Sequence, residues 1–141
     1  MLSALCEDEL TSLENIFKTK KPFGGIRLSD CLFCKIIAGE IPSAKVYEDD
    51  NCYAFRDINP QAPVHVVLVP KAHVSGLNEV FNLEEAQIAA VLRAVPQIAA
   101  REGIAESGYR LVSNCGKDAC QSVQHLHFHI LGGRQMTDGM A

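Results

Sequence analysis

Three histidines alternate with apolar residues in the segment His125-Leu-His-Phe-His129. Successive side chains of a β-strand point to opposite faces, so this alternation predicts a strand with all three imidazoles on one face. Leu126, Phe128 and Ile130 share the other face, which we expect to pack on a core covered by a helix. The chain has five histidines, and three of them on one strand face indicate a functional site.

The row of imidazoles allows two kinds of chemistry. An imidazole nitrogen is a competent nucleophile toward phosphorus, and neighbouring rings can donate hydrogen bonds to the charge that builds on phosphate oxygens. A His-x-His pair is also able to chelate a metal ion. The row by itself leaves both interpretations open.

Composition limits the class of protein. With 141 residues, of which 48% are hydrophobic and 21% charged, the chain fits one globular domain with a buried core. Its formal net charge of −4 argues against binding to nucleic acid, which needs clustered positive charge. No segment is apolar enough to cross a membrane, and the acidic N-terminal region is unlike a signal peptide. We therefore expect a soluble cytoplasmic protein.

The first 27 residues differ in character from the rest of the chain. They combine a basic, glycine-containing linker with apolar residues at helical spacing, which predicts a short amphipathic helix; the apolar residues are Leu10, Leu13, Ile16 and Phe17. We interpret residues 1–27 as an extension, either an appendage packed on the domain or a helix that binds a partner. Residues 28–141 form the domain itself.

The remaining pattern predicts an α+β fold. Five segments have the composition of strands: Lys45–Glu48, Cys52–Asp57, Val64–Val69, Tyr109–Ser113 and Val123–Leu131. A short helix capped by Ser29 precedes them, and a long helix lies between the third and the fourth. This order is typical of an antiparallel sheet of about five strands with the long helix on one face.

The long helix has recognisable ends. Asn82 is a candidate N-cap with Glu85 three residues later, which together make the two parts of a capping box. Pro96 lacks a backbone donor, so we expect it to kink or shorten the helix. The apolar face, which extends as far as Gly103, comprises Ile88, Val91, Leu92, Val95, Ile98 and Ala99.

The residues around the histidine row are similar to those of one known family. Gln121-Ser-Val123 precedes the row and Gly132-Gly-Arg134 follows it; Asp57-Ile-Asn-Pro-Gln-Ala-Pro-Val-His65 and Pro70-Lys-Ala-His73 lie upstream. Over about residues 30–136 this set resembles the histidine triad (HIT) superfamily, and specifically its Hint branch. The resemblance implies a HIT-like fold and a homodimer in which the two sheets join edge to edge.

The resemblance also implies an activity. Hint proteins are hydrolases that cleave the P–N bond of purine nucleoside 5′-phosphoramidates, in which AMP is joined to an amine. The middle histidine, here His127, would attack phosphorus and form a nucleotidyl-histidine that water hydrolyses, which replaces one difficult step with two easier ones. The alternatives are a dinucleoside polyphosphate hydrolase or nucleotidyl transferase of the same superfamily, a metalloenzyme whose ion is bound by the histidine row, and a non-catalytic nucleotide-binding protein.

The same resemblance assigns roles to the residues near His127. His129 would hydrogen-bond the phosphate, and Gln121 and Ser122 would meet the phosphate or the leaving amine. His65, on the neighbouring strand, would lie beside His127 and hold its ring.

Further residues would bind the nucleotide. Asn114 matches a phosphate-contacting asparagine of the family, and Asp57 would accept the ribose hydroxyls, since a carboxylate suits a vicinal diol. A planar base needs an apolar slot, which the resemblance assigns to Leu32, Phe33, Ile36, Phe55 and Ile58. From the residues alone, Asp57 is equally a turn residue, and the two phenylalanines are equally core.

Cys31 and Cys34, in a C-x-x-C spacing, form a candidate zinc site with His73 and His125. Zinc favours four thiolate and imidazole ligands in a tetrahedron, and some HIT relatives bind zinc through a matching quartet. Such a closed site is structural and leaves no open position for catalysis, so we expect catalysis to require no cofactor. The alternatives are two reduced thiols and, less favoured without a βαβ context, a redox pair.

Two features depart from the family pattern. Cys120 stands where relatives normally have glycine. The C-terminal residues Met136–Ala141 lack the W-P-P-G ending of many relatives, an ending that bears on dimer contacts and substrate preference.

Overall fold

The structure, a computed structural model, describes residues 30–140. Within that range the order of elements is a short helix, three strands, a long helix and two more strands. The bounds are α1 (Leu32–Ile37), β1 (Lys45–Glu48), β2 (Cys52–Arg56), β3 (Val64–Pro70), a 3₁₀ helix (Leu77–Asn82), α2 (Glu85–Arg101), β4 (Tyr109–Val112) and β5 (Phe128–Gly132). The extension expected over residues 1–27 lies outside the described residues.

The five strands form one antiparallel sheet in the order β1-β2-β3-β5-β4. Strand β5 is therefore central, with β3 on one side and β4 on the other. His129 of β5 has a partner on each side, Val67 of β3 and Val112 of β4. The α+β class with a five-stranded antiparallel sheet and one long helix is confirmed.

Helix α2 covers one face of this sheet. Its buried residues Ala94 and Ile98 belong to the same core cluster as Val66, Leu68 and Ile130 of β3 and β5. This is the apolar face expected from the alternation at residues 125–130, so its orientation toward the helix is confirmed.

The short helix α1 covers part of the opposite face. Phe33 and Ile36 form a second buried cluster with the strand residues Tyr53, Phe55, Val67 and Val69. Its N-cap residue is Cys31; Ser29, the predicted cap, lies outside the described residues. The face that carries the histidines is thus closed by α1 over part of its area.

The long helix differs from prediction at its start. Its N-cap is Glu84, and Gln87 completes the capping box by accepting the Glu84 N–H with Oε1 at 2.9 Å. The predicted pair of Asn82 and Glu85 does not form this box, because the 3₁₀ helix extends through Asn82 and the buried, extended Leu83 separates the two helices.

Two expectations concern the interior of α2. The helix runs through Pro96 to Arg101 without being shortened. Leu92 is 53% exposed and does not belong to the buried face, because the core stripe follows Val91, Val95 and Ile98, and Leu92 is rotated by one residue away from it. Among residues 30–140, no helix is long and apolar enough to span a bilayer.

The last strand is shorter than predicted. It begins at Phe128 instead of Val123, because the backbone ahead of it leaves the ladder and pairs elsewhere. The Leu126 N–H donates to the carbonyl of Val74, four residues beyond the end of β3, at 2.7 Å. His125 and His127 therefore lie on an irregular segment that enters the sheet, and only His129 lies on the strand.

Candidate active site and metal cluster

His127 is held so that one ring nitrogen remains available. Its Nδ1–H donates to the backbone carbonyl of His125 at 2.7 Å, which leaves the lone pair on Nε2. The ring is only 2% exposed. However, Nε2 has no hydrogen-bond partner among the described residues, where every fully buried side-chain nitrogen or oxygen has one. This nitrogen therefore reaches the surface and has the properties of a nucleophile.

Neighbouring rings fix the orientation of His127. Phe33 of α1 meets it edge-on, with ring centroids 5.1 Å apart, and also contacts His125 at 5.9 Å. The ring of His129 lies 5.1 Å from His127 on its other side. The Ser113 hydroxyl donates to the backbone carbonyl of His127 at 2.8 Å, so the main chain is held as well.

His65 lies beside His129, which corrects the prediction that it holds His127. His65 Nε2 and His129 Nδ1 are 2.8 Å apart, and their ring centroids are 5.0 Å apart. The register explains the difference, because His65 of β3 is opposite Leu131 of β5, on the far side of His129 from His127.

Both histidines of this pair are neutral at pH 7. Burial, followed by the neighbouring His127 and His65, lowers the pKa of His129 to about 4, against the opposing effect of the Asp57 carboxylate. Burial likewise lowers the pKa of His65 despite the presence of Asp57. These rings therefore act as hydrogen-bonding groups and not as cations.

Asp57, His65 and His129 are close enough to hold a metal ion, with ligand atoms within 4.8 Å of one another. The backbone argues against this use. The Gln61 N–H donates to His65 Nδ1 at 3.0 Å, so in the neutral ring the proton lies on Nε2, the atom that a metal would need. The three residues form a hydrogen-bonded set instead.

Asp57 is a turn residue, which is one of the two interpretations considered for it, and the binding of ribose hydroxyls stays a prediction. Its Oδ1 accepts the Asn59 N–H at 2.8 Å, which makes a turn, while Oδ2 lies 3.5 Å from His65 Nε2. The side chain keeps 23% of its area exposed. The carboxylate is thus fixed by the turn at the margin of the histidine site, with lone pairs still available to a ligand.

The five residues predicted to bind the base differ in burial. Phe33, Ile36 and Phe55 are buried together in the α1 cluster, as the interpretation as core residues expects. Leu32 is 43% exposed and Ile58 92% exposed. The predicted base-binding set is therefore split between three side chains buried in the core and two exposed ones.

The Gln121 side chain is engaged both within its own loop and with the segment that follows β3. Its Nε2 donates to the carbonyls of Ser75 at 2.6 Å and Val123 at 3.0 Å, and its Oε1 accepts the Gly116 N–H at 2.9 Å. Both amide protons are used, so the side chain has no donor left for a phosphate. This differs from the predicted role. Ser122, the other member of the pair, is exposed.

Asn114 follows strand β4 at the same end of the sheet. It is half-buried and directly follows Ser113, whose hydroxyl binds the carbonyl of His127. The Asn114 backbone therefore lies beside the histidine row, in the connection between β4 and β5 that also contains Ser122.

The four predicted zinc ligands converge on one point. His125 Nδ1 lies 3.5 Å from Cys31 Sγ, 3.6 Å from Cys34 Sγ and 3.1 Å from His73 Nδ1, and Cys34 Sγ lies 3.4 Å from His73 Nδ1. In a tetrahedron with Zn–S of about 2.3 Å and Zn–N of about 2.0 Å, neighbouring ligand atoms are roughly 3.3–3.8 Å apart. The donor set therefore fits zinc and can hold a metal ion.

The surroundings of the cluster suit a cation. His125 Nε2–H donates to the Pro70 carbonyl at 2.8 Å, which leaves Nδ1 as the ligand atom. Burial lowers the pKa of His125 to about 4, so the ring is neutral as a ligand must be. Burial and the adjacent Cys31 raise the pKa of the Cys34 thiol to about 12. A bound cation would stabilise the thiolates.

Two contributions to the site were not predicted from sequence. The Gln61 backbone N–H orients His65, and the Pro70 carbonyl orients His125. Both act through the main chain, which carries no residue-specific signal, so only the folded geometry identifies them.

Comparison with known proteins agrees with this arrangement. The sequence matches the HIT domain family over residues 38–136. A Legionella pneumophila HIT family hydrolase of known structure is 50% identical, covers 76% of this chain and 96% of its own, and superimposes with a TM-score of 0.73. The fold and the histidine site thus define a HIT protein.

Named relatives show which members of the HIT family this chain resembles. The purine nucleoside phosphoramidase of Escherichia coli is 44% identical over 79% of this chain and 94% of its own length. The adenylylsulfatase HINT1 of Arabidopsis thaliana is 49% identical over 77% and 75%, and a 14 kDa zinc-binding protein of Brassica juncea is 50% identical over 77% and 96%. The chain belongs to the HIT family, and it is a HIT family hydrolase of the Hint type.

Proposed function

We propose that this chain hydrolyses purine nucleoside 5′-phosphoramidates through a covalent nucleotidyl-His127 intermediate. The observation that carries the proposal is the hydrogen bond from His127 Nδ1–H to the His125 carbonyl, which directs an unpaired Nε2 to the surface. The similarity to a phosphoramidase over 79% of the chain supports the choice of substrate class.

The reaction divides into two displacements at phosphorus. In the first, His127 Nε2 attacks the α-phosphorus and the P–N bond to the amine breaks. The His125 carbonyl stabilises the positive charge that develops on the imidazole, through the Nδ1–H bond. The amine leaves with a proton relayed from solvent, a relay that we assign to the exposed Ser122 hydroxyl. In the second displacement, water attacks the same phosphorus and releases AMP and neutral His127.

The surrounding residues would bind the nucleotide. His129 donates to a phosphate oxygen, with Asn114 and Ser122 on the other side of the group. The Asp57 carboxylate accepts the ribose hydroxyls, and Leu32 and Ile58 contact the base above the buried Phe33, Ile36 and Phe55. We assign Gln121 to holding the loop and His65 to positioning His129.

We further propose that Cys31, Cys34, His73 and His125 bind a structural zinc ion. When bound, zinc would link α1 to the end of β3 and to the histidine segment, since the ligands come from these three parts of the chain. Four protein ligands leave no open coordination position, so catalysis requires no metal chemistry. The thiols of this set also favour action in the reducing cytoplasm.

A homodimer joined along the sheet is the proposed assembly. Strand β4 is an edge of the described sheet, and an unpaired edge readily adds another strand. Its residues Tyr109 and Leu111 are 38% and 37% exposed, whereas the other edge, β1, has an irregular register and carries Lys45 and Glu48.

The activity is tested by assaying purified protein on an adenosine 5′-phosphoramidate beside a dinucleoside polyphosphate and adenylyl sulfate. We expect the phosphoramidate to be cleaved fastest and mass spectrometry of a rapidly quenched sample to locate AMP on His127. His127→Ala should lower kcat by about 10⁴-fold or more while retaining AMP binding.

Other outcomes would identify other functions. Preferential cleavage of the polyphosphate, or transfer of AMP to an acceptor, would assign the chain to another activity of the superfamily. Faster cleavage of adenylyl sulfate is the second candidate, which the adenylylsulfatase relative favours. Nucleotide binding without turnover of any of the three substrates would contradict the proposal.

A further inference from the structure

The loop between β2 and β3 donates a backbone hydrogen bond to a side chain of the site. The backbone N–H of Gln61 donates to Nδ1 of His65 at 3.0 Å, and Nε2 of the same ring faces Nδ1 of His129 at 2.8 Å. A backbone N–H is an obligate donor. The hydrogen-bond roles of both rings can therefore be assigned in order from Gln61.

The Gln61 donor fixes the proton on each of the two rings in turn. His65 Nδ1 must accept from Gln61, so in the neutral ring its proton lies on Nε2. His65 Nε2–H then donates to His129 Nδ1, because two nitrogens at 2.8 Å share one proton. In neutral His129 the remaining proton lies on Nε2, the nitrogen that points away from His65.

The loop is braced so that this donor stays in place. The Gln61 carbonyl accepts from Arg134 Nη2 at 3.3 Å, and its side-chain Nε2 donates to the Asn59 carbonyl at 3.3 Å. Asn59 is in turn bonded to Asp57 Oδ1 at 2.8 Å. The Gln61 peptide is thus held by contacts on either side of the N–H that it gives to His65.

We propose that the Gln61 peptide and His65 are positioning groups that fix His129 as a neutral Nε2–H donor toward the substrate phosphate. The role of this donor rests on the proposed function; the tautomer itself does not. His65 touches neither the nucleophile nor the substrate and acts only through His129. A neutral donor stabilises the charge that builds on the phosphate oxygens and does not have to lose a proton first.

The test compares two substitutions of similar size at His65. The amide nitrogen of Gln lies near the position of imidazole Nε2, so His65→Gln keeps a donor to His129. The amide of Asn lies near the position of Nδ1, so His65→Asn keeps a partner for the Gln61 N–H and loses the donor to His129. Thermal unfolding of both variants checks that the fold is retained.

The first measurement is the tautomer of His129, read from its ring ¹⁵N shifts at pH 7.5 in the full chain, with His129→Gln to assign the signals. We expect the Nε2–H form in the unmodified chain and in His65→Gln, and a mixture of tautomers in His65→Asn. An Nδ1–H form or an imidazolium in the unmodified chain would overturn the inference.

The second measurement is phosphoramidate hydrolysis. We expect kcat/KM to fall by about 100-fold in His65→Asn, as for a misplaced catalytic group, and to stay within about threefold in His65→Gln. Equal losses in the two folded variants would mean that the ring, and not its donor, is required, which also overturns the inference. If the unmodified chain does not cleave the phosphoramidate, the proposed function fails, but the tautomer measurement still decides the inference.

Discussion

The three histidines of the row differ in their neighbours although they share one segment. His125 meets two thiols and His73, His127 meets a backbone carbonyl, and His129 meets His65. A hydrogen-bond partner fixes which ring nitrogen carries the proton: the Pro70 carbonyl places it on Nε2 of His125, the His125 carbonyl on Nδ1 of His127, and His65 on Nε2 of His129. In the proposed function the same residue type therefore supplies a ligand, a nucleophile and a donor, because each ring has a different partner.

The depressed pKa of His129 predicts a pH-dependent stability. An unfolded histidine titrates near 6.5, whereas burial and the facing His127 and His65, opposed by Asp57, lower the folded pKa to about 4. Between these values the unfolded state binds more protons, so stability is complete above pH 6.5 and is lost as the pH falls toward 4. The loss attributable to His129 should be about 2 kcal/mol between pH 7.5 and 4.5.

Urea unfolding of the unmodified chain and of His129→Gln at both pH values measures this contribution. We expect the variant to lose less stability on acidification, by that amount. Parallel losses in the two proteins would show that His129 is not the group responsible. Because zinc ligands titrate in the same range, only the difference between the proteins is informative.

Cys120 carries backbone strain that a glycine would relieve. Its φ of +57° is the one positive value of a non-glycine residue among residues 30–140. The N–H of Gln121 bonds to the carbonyl of Gly116, and that of Cys120 to Lys117, which is the hydrogen-bond pattern of a Schellman motif with Cys120 at the left-handed position. This explains why the family pattern has glycine here.

We expect Cys120→Gly to raise the free energy of unfolding by about 1 kcal/mol, since a side chain at a left-handed position costs roughly that much. Cys120→Ala is the matched control: it removes the thiol but keeps the Cβ, so it should give no gain. Chemical denaturation measures both. A gain of the same size in the alanine variant would assign the effect to the thiol.

At the scale of elements, the metal cluster joins parts of the chain that have few other contacts. Helix α1 has six residues, too few to be stable by itself, and its apolar face packs only on one end of the sheet. The proposed zinc would attach it through Cys31 and Cys34 to His73 and His125. Packing of Phe33 on His127 makes the position of α1 relevant to the nucleophile.

Removal of one ligand should therefore release the metal and loosen α1. Elemental analysis should find about one zinc per chain in the unmodified protein and in Cys115→Ser, a half-buried cysteine outside the set, and close to none in Cys34→Ser. We expect the Tm of Cys34→Ser to fall by several degrees, as for a lost structural metal. Stoichiometric zinc in Cys34→Ser, or none in the unmodified protein, would contradict the structural zinc site.

The start of strand β5 was predicted wrongly. The alternation correctly gave the apolar face, since Leu126 and Ile130 are both buried. It did not give the start of the strand, because Leu126 pairs with Val74 and not with β3. Which backbone partner an extended segment finds is decided by distant parts of the chain.

At the scale of the whole molecule, the exposed edge of β4 is the feature that bears on assembly. Leu111 lies opposite Ile130, on the face that α2 covers, so a second sheet joined along β4 would bury it. We expect the unmodified protein to elute at twice the chain mass of 15.4 kDa and Leu111→Lys to shift it toward the monomer. A charge buried without a partner is strongly unfavourable.

Leu77→Lys provides the control, because Leu77 has similar exposure but lies on the 3₁₀ helix, away from β4. It should leave the dimer intact. Elution of the unmodified protein as a monomer at micromolar concentration, or equal dissociation by both substitutions, would contradict assembly through β4.

The sequence by itself determined the class of fold and the face of the histidine row, because alternation and spacing are local properties, and its resemblance to the HIT family indicated the four residues that can hold a metal ion. The tertiary structure decided how the site is connected. It paired His65 with His129 instead of His127, and it used the donors of Gln121 to bind backbone carbonyls, one of them that of the sequence-distant Ser75. Such pairings depend on register between strands and on main-chain groups of remote loops, and neither is encoded in any one segment.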